Sequence, residues 1–171
     1  MGNAQSSTDE ELALEYETLC QSYDNKTGAR QITSGEALEK LKAGTTVYFL
    51  DTRGEQEHKV STLPGAQLLV PSIGLLSISY STPLPNVEEI PTDATIVCHC
   101  TAGLRSGWAA VDLEKKWNRP VYSLHGGIVA WSNAGGHLEV PDAKRTPTEK
   151  VHTYSATWGK FLKKQEQMVV A

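Results

Sequence analysis

The chain has 171 residues and a formal net charge of −4 at pH 7, with 39% hydrophobic and 21% charged residues. These values are typical of a soluble globular protein of one domain with extensions, and an acidic balance without a basic stripe argues against nucleic-acid binding. No apolar run is long enough to cross a bilayer, and the first residues lack the basic and apolar segments of a secretory signal.

Residues 1–28 predict a polar tail followed by a helix. Thr8 and Glu11 have the spacing of a capping box, which places the start of the helix at Thr8. The residues that recur on one face of this helix are Leu12, Tyr16, Leu19 and Tyr23. We therefore expect an N-terminal helical extension.

Residues 29–137 alternate between predicted strands and helices. We expect strands at 31–32, 47–50, 67–70, 96–100 and 121–124. We expect helices after Thr33, over 54–60, 71–79 and 106–117, and from Gly127. Residues 81–93 hold three prolines and predict a surface loop. The alternation predicts an α/β fold with an open parallel β-sheet flanked by helices on both faces.

Polar groups follow three of the predicted strands. The segment from Asp51 to Arg53, Cys100 and His125 each stand where a strand ends. Because ligands of open parallel sheets bind at the carboxyl ends of the strands, the pattern places these groups near one crevice. We expect Asp51 and Arg53 to be structural there.

Residues 138–171 predict a linker, with prolines between 141 and 148, and then a final helix over 149–165. One face of this helix is apolar or aromatic and carries Val151, Tyr154, Trp158, Phe161 and Leu162. We expect this face to pack on the main domain. Because Lys160, Lys163 and Lys164 flank its apolar end, docking to a partner or a membrane is the alternative.

The three cysteines are Cys20, Cys98 and Cys100. An odd count without a secretory signal predicts free thiols in a reducing, cytoplasmic compartment. We expect Cys20 and Cys98 to pack in the core, with a resolving thiol as the alternative for Cys98. The cysteine spacing is too tight for a usual zinc pair, so we expect no metal site.

Cys100 stands between a predicted strand and a predicted helix. The backbone N–H groups of the short loop and the N-terminus of the helix favour an anion, and therefore the thiolate. Arg105 can hold an anionic substrate through its bidentate fork, and Gly103 allows a tight backbone path. This setting predicts sulfur or phosphate chemistry through a covalent cysteine intermediate.

The motif Cys100-x-x-Gly103-x-Arg105-Ser106 resembles the active loop of the rhodanese (sulfurtransferase) family, which also has six residues from cysteine to basic residue. Four further segments resemble the family in the same order along residues 29–137. They are Ile32-Thr33, Asp51-Thr52-Arg53, Leu63-Pro64-Gly65-Ala66, and Leu124-x-Gly126-Gly127 with Trp131.

The resemblance implies a rhodanese-like sheet and a two-step sulfur transfer without a cofactor. Cys100 would take sulfur from a small anionic donor such as thiosulfate and pass it from a persulfide to cyanide or a thiol. Arg105 would be the second catalytic residue and would position the donor. The residues implied in substrate binding through the loop are Thr101, Ala102, Gly103, Leu104 and Ser106.

Two alternatives remain open. The stretch from His99 to Ser106 also resembles the tyrosine-phosphatase motif with one residue missing before Arg105, which would indicate a phosphatase or an arsenate reductase. A shorter loop suits one sulfur atom better than a phosphoryl group. Some rhodanese-like domains are interaction modules without catalysis, which is the second alternative.

The N-terminal sequence fits the N-myristoylation pattern, with Gly2 as the acceptor after removal of Met1 and serine at the sixth position. A single acyl chain gives only marginal, reversible membrane binding, with an association constant of about 10⁴ M⁻¹. We therefore expect a cytoplasmic protein with a weak membrane tether at Gly2.

Overall fold

The computed structural model describes residues 3–170, so the predicted lipidation site Gly2 lies outside the described residues. Its helices are α1 Asn3–Thr27, α2 Ser34–Lys42, α3 Glu55–Val60, α4 Leu104–Trp117, α5 Gly127–Asn133 and α6 Ala156–Gly159. Its strands are β1 Arg30–Ile32, β2 Val47–Asp51, β3 Gln67–Leu68, β4 Pro71–Ile73, β5 Ile78–Tyr80, β6 Thr95–His99, β7 Val121–Leu124, β8 Leu138–Glu139, β9 Pro147–Thr148, β10 Val151–His152 and β11 Met168–Val169. None of these helices is both long and apolar enough to cross a membrane.

A sheet of five parallel strands, in the order β1-β7-β6-β2-β3, forms the centre of the fold. Because side chains alternate along a strand, neighbouring residues of β6 enter opposite layers. Val97 packs with Trp131 of α5 in one hydrophobic cluster, and Cys98 packs with Leu113 of α4 in the other. The predicted parallel sheet with helices on both faces is confirmed.

The helix predicted after Thr33 is confirmed together with its cap. The Glu36 amide donates to the Thr33 hydroxyl at 3.2 Å, and the Thr33 amide donates to the Glu36 carboxylate at 2.8 Å. These two bonds satisfy amides that would otherwise lack a partner at the start of α2. Helix α1 differs from its prediction, since it begins at Asn3 rather than at Thr8.

The helix predicted over residues 71–79 is wrong, because β4 and β5 form an antiparallel hairpin there. Each arm contains one isoleucine, and the β-branched isoleucines favour extended backbone. The Gly74 amide donates to the Ser77 carbonyl at 2.9 Å and closes the turn.

The final helix predicted over residues 149–165 is also wrong. This part of the chain contains β10, the four-residue α6 and a 3-10 turn at Gln165–Gln167, and β11 then returns to pair with β10. Tyr154 has φ of 68°, in the left-handed region, which interrupts any right-handed helix at that residue. The predicted linker over 141–148 ends in β9, which pairs with β8.

Both extensions pack on the sheet. Tyr16 and Cys20 of α1 are buried in the same hydrophobic cluster as Trp131. The predicted packing of the C-terminal apolar residues is confirmed for three of them, which are buried in this cluster: Val151, Phe161 and Leu162. Tyr154 differs, since it stays 62% exposed.

A fully buried ion pair lies at the end of β2. Arg53 donates to the Asp51 carboxylate from Nε at 2.9 Å and from Nη2 at 2.6 Å, and both side chains are buried. Thr62 Oγ1 donates to the same carboxylate at 2.8 Å. Burial by itself raises the pKa of Asp51, but the positive charge of Arg53 outweighs it and holds this pKa well below its ordinary range. This pairing fits the structural role predicted for both residues.

Replacing Arg53 by methionine should destabilise the fold by about 3–5 kcal/mol, because Asp51 would be left as a buried charge without its partner. Urea unfolding at neutral pH measures the effect. Lys42→Met is the matched control, because it breaks the exposed Lys42–Glu39 pair and should change stability by less than about 1 kcal/mol. Equal losses in the two variants would contradict this role of the buried pair.

Candidate active site

Cys100 directly follows β6 and is almost completely buried, with 2% of its surface exposed. Its Sγ atom accepts a hydrogen bond from the Gly103 amide at 3.2 Å, and the Ser106 hydroxyl lies 3.5 Å away as a second donor. Ser106 is held by a hydrogen bond of 2.9 Å to the hydroxyl of Ser123 on β7. A sulfur in this position meets donors from the loop and from the first turn of α4, and both favour negative charge on it.

The loop around Cys100 is held in place by hydrogen bonds from α5 to its carbonyl groups. The Ile128 amide donates to the Cys100 carbonyl at 2.8 Å, and the Val129 amide donates to the Thr101 carbonyl at 3.4 Å. Both amides belong to the first turn of α5, where amides have no partner within the helix. With its carbonyls bound on this side, the loop can direct the Gly103 amide to the sulfur.

Two glycines make the backbone conformation of this loop and its contact with α5 possible. Gly103 has φ of 111° where the loop enters α4, a conformation that other residues rarely adopt. Gly127 has φ of 55°, and a Cβ atom there would collide with the carbonyl oxygen of Cys100. The close approach of α5 to the loop therefore requires glycine at position 127.

Arg105 is engaged by Glu57, a residue that no motif of the sequence connects to it. Its guanidinium donates to both carboxylate oxygens of Glu57, at 2.7 and 2.8 Å, and to the Thr101 hydroxyl at 3.0 Å. Glu57 is buried in α3, and burial raises its pKa, but the bonds and charge of Arg105 outweigh this and lower it. The carboxylate therefore neutralises the cation expected to hold an anionic substrate.

A cavity of ≈ 300 Å³ opens above Cys100. It is lined by the loop residues Cys100, Thr101, Ala102, Leu104 and Arg105 and by three aromatic residues, Tyr23, Tyr154 and Trp158. Tyr23 belongs to α1, and Tyr154 and Trp158 belong to the C-terminal extension. The structure thus brings the predicted site residues together and adds aromatic residues that sequence spacing alone did not connect to them.

Two histidines near the strand ends are placed differently from Cys100. His99, the last residue of β6, is buried beside Asp51, and its Nε2 lies 3.3 Å from the Thr62 hydroxyl. Burial lowers the pKa of His99 to about 4, so its ring is neutral near pH 7. His125, which follows β7, faces α1 and contacts Asp24 at 2.6 Å.

The remaining cysteines are buried thiols. Burial raises the pKa of Cys20 to about 12 and raises the pKa of Cys98 as well, which disfavours their thiolates. Across residues 3–170 there is no group of histidine, cysteine or acidic side chains that could hold a metal ion.

Comparison with known proteins identifies a family for this chain. The model of the rhodanese-like domain matches residues 33–134. The chain is 30% identical over 112 residues to a sulfurtransferase of Allochromatium vinosum, with 66% of this chain and 96% of that protein covered. It is 32% identical over 101 residues to the probable adenylyltransferase/sulfurtransferase MoeZ of Mycobacterium tuberculosis. That match spans 59% of this chain and only 24% of the mycobacterial protein.

Solved structures share the fold. A thiosulfate sulfurtransferase from Pseudomonas aeruginosa superposes with a TM-score of 0.52 at 18% identity, covering 86% of this chain and 26% of that one. A protein of unknown function from Rhodopseudomonas palustris, described as a possible tyrosine phosphatase, superposes with a TM-score of 0.51 at 25% identity, covering 68% and 91%.

Gly127→Ala should destabilise the protein by about 1–3 kcal/mol more than Gly135→Ala, because overpacking is added to the strain of a positive φ. Gly135 is the matched control, since its φ is 76° but no atom lies within 4 Å of a Cβ there. Urea unfolding of both variants measures the difference. Equal destabilisation would show that the contact between α5 and the Cys100 carbonyl is not tight.

The buried neutral state of His99 predicts a pH dependence. Between pH 6.5 and about 4 the unfolded chain binds a proton at this histidine that the folded chain does not bind, so stability falls as the pH falls. His99→Gln should make the slope shallower by up to about 1.4 kcal/mol per pH unit. Urea unfolding over this pH range measures the slope, and His137→Gln at an exposed site is the control. An unchanged slope in His99→Gln would contradict the assignment.

Proposed function

The chain belongs to the rhodanese-like domain family, and we propose that it is a sulfurtransferase that carries sulfur as a persulfide on Cys100. The donor is an anionic compound of the thiosulfate type, and the acceptor is cyanide or a thiol. Similarity to proteins described as sulfurtransferases supports the transfer of sulfur in general.

The observation that carries the proposal is that Cys100 lines the cavity while its sulfur accepts a hydrogen bond from the loop. The Gly103 amide and the Ser106 hydroxyl stabilise negative charge on Sγ, and the same donors can stabilise a persulfide anion on it. Because these hydrogen-bond donors favour the thiolate as the attacking species, the proposed mechanism assigns no general base. The two catalytic residues predicted from the loop, Cys100 and Arg105, both line the cavity.

The transfer proceeds in two displacements. In the first, the thiolate of Cys100 attacks the outer sulfur of the donor, a sulfur–sulfur bond forms, and the donor's own sulfur–sulfur bond breaks with its electron pair leaving on sulfite or a sulfinate. In the second, the acceptor attacks the outer sulfur of the persulfide, and the Cys100 thiolate leaves. No electrons are gained from or lost to another reagent, so no redox cofactor takes part.

A phosphatase or an arsenate reductase is the alternative chemistry for a cysteine loop of this kind. Two features favour sulfur transfer over it. The loop has six residues from Cys100 to Arg105, which leaves little room for a phosphoryl group. Arg105 is also bound to Glu57, so it does not offer a free guanidinium to three phosphoryl oxygens. A non-catalytic interaction module would not require the two hydrogen-bond donors next to the Cys100 sulfur.

Cys100→Ala should reduce the formation of thiocyanate from thiosulfate and cyanide by at least about 10³-fold, because the attacking atom is lost. Cys98→Ala is the matched control, since this cysteine packs away from the cavity in the layer of α4. It should retain activity within about threefold.

Two results would contradict the proposal. One is thiocyanate formation by Cys100→Ala at the rate of the wild type. The other is wild-type protein that hydrolyses an aryl phosphate through Cys100 but forms no thiocyanate, which would favour the phosphatase.

A further inference from the structure

We propose that the aromatic side chains Tyr23, Tyr154 and Trp158, here called the aromatic rim, select sulfur donors with an aromatic or bulky apolar group next to the reacting sulfur. The inference rests on the proposed sulfur transfer at Cys100 and names the class of donor that this site prefers. Small dianions such as thiosulfate would be accepted but would bind less well.

The aromatic rim is built as a surface for a flat apolar group. The rings of Tyr23 and Trp158 lie 6.2 Å apart, and the Trp158 ring lies 6.4 Å from Phe161, which is buried in the core. Tyr154 also lines the cavity, and its ring centroid lies 5.4 Å from the guanidinium carbon of Arg105. Aromatic groups pack favourably against such rings at these separations.

The charge of the cavity points to the same class of donor. Among the residues that the structure describes, Arg105 is the one charged side chain that lines the cavity. Glu57 accepts hydrogen bonds from both terminal nitrogens of the Arg105 guanidinium. A dianion entering the cavity would lose its water and gain little from a cation that is already neutralised. A monoanion with an apolar substituent loses less solvation and gains the burial of its apolar surface.

The size of the cavity also suits an organic group. A volume of ≈ 300 Å³ lies at the lower end of the range of about 300–1,000 Å³ that is typical of small-molecule sites. This is far more room than a single sulfur atom needs. The space would be filled by the substituent that the sulfur is carried on.

The aromatic rim comes from outside the part of the chain that defines the family. The family model covers residues 33–134, whereas Tyr23 precedes this range and Tyr154 and Trp158 follow it. Both extensions are docked on the core, with Tyr16 of α1 and Phe161 in ring contact at 4.8 Å. The extensions therefore supply the selectivity, and the shared domain supplies the cysteine.

Two donors test the inference, because they carry the same reacting sulfur and the same single charge. Benzenethiosulfonate has a phenyl group where methanethiosulfonate has a methyl group, and thiosulfate is the dianionic reference. The rate at which each donor adds sulfur to Cys100 is divided by its rate with free glutathione, which removes differences in intrinsic reactivity. The wild type should then prefer the phenyl compound over the methyl compound and over thiosulfate by at least about tenfold.

Variants assign this preference to the aromatic rim. Tyr154→Asn removes a largely exposed ring, and asparagine tolerates the left-handed backbone at this position. It should lower the preference for the phenyl group by at least about threefold, and Trp158→Ala should lower it further, while Trp158→Phe keeps a ring and most of the preference. Leu75→Asn, at a 98% exposed residue outside the cavity lining, is the matched control and should behave as the wild type.

The charge argument has its own variant. Glu57→Gln removes the carboxylate that neutralises Arg105, and it should raise the rate with thiosulfate relative to benzenethiosulfonate by at least about threefold. Equal normalised rates for the three donors in the wild type, or a phenyl preference unchanged in both Tyr154→Asn and Trp158→Ala, would overturn the inference and leave sulfur transfer intact. If none of the donors adds sulfur to Cys100, the proposed function itself fails.

Discussion

The hydrogen bonds between the start of α5 and the carbonyls of Cys100 and Thr101 are the constraint on which the site depends. They hold the loop against the sheet and leave the Gly103 amide free to donate to the sulfur. Without them, a short loop after a buried strand would have to satisfy its carbonyls elsewhere and would lose this geometry. The requirement for glycine at position 127 follows from the same contact, because the two segments approach too closely for a side chain.

The pairing of Glu57 with Arg105 gives the site its electrostatic character. An unpaired arginine above a cysteine would attract dianions in general, whereas this arginine is positioned and neutralised by a buried carboxylate. Arg105 can then orient the anionic end of a donor without dominating its binding. In this account the aromatic rim determines which sulfur donor is preferred. The two extensions that pack on the domain are therefore part of the site.

Much of the fold was predictable because its signals are local. Continuous apolar runs indicated the parallel strands, and the Thr33–Glu36 spacing indicated a capping box that the structure contains. The cysteine loop was also visible as a short segment. The hairpin at 71–80 was not, because each of its arms has only three residues and gives a weak strand pattern. The C-terminal segment was not, because its strand β10 pairs with β11, which lies far along the chain. Glu57 was missed for the same reason, since it lies 48 residues from Arg105 in sequence.

The most direct test of the account is the intact mass of the protein after exposure to benzenethiosulfonate or thiosulfate and removal of the donor. The account predicts that the wild type gains the mass of one sulfur atom, that peptide mapping places it on Cys100, and that cyanide removes it. Cys100→Ala should gain none. A wild-type protein that gains no sulfur, or that carries it on Cys20 or Cys98 instead, would contradict the central claim that Cys100 takes the sulfur from the donor.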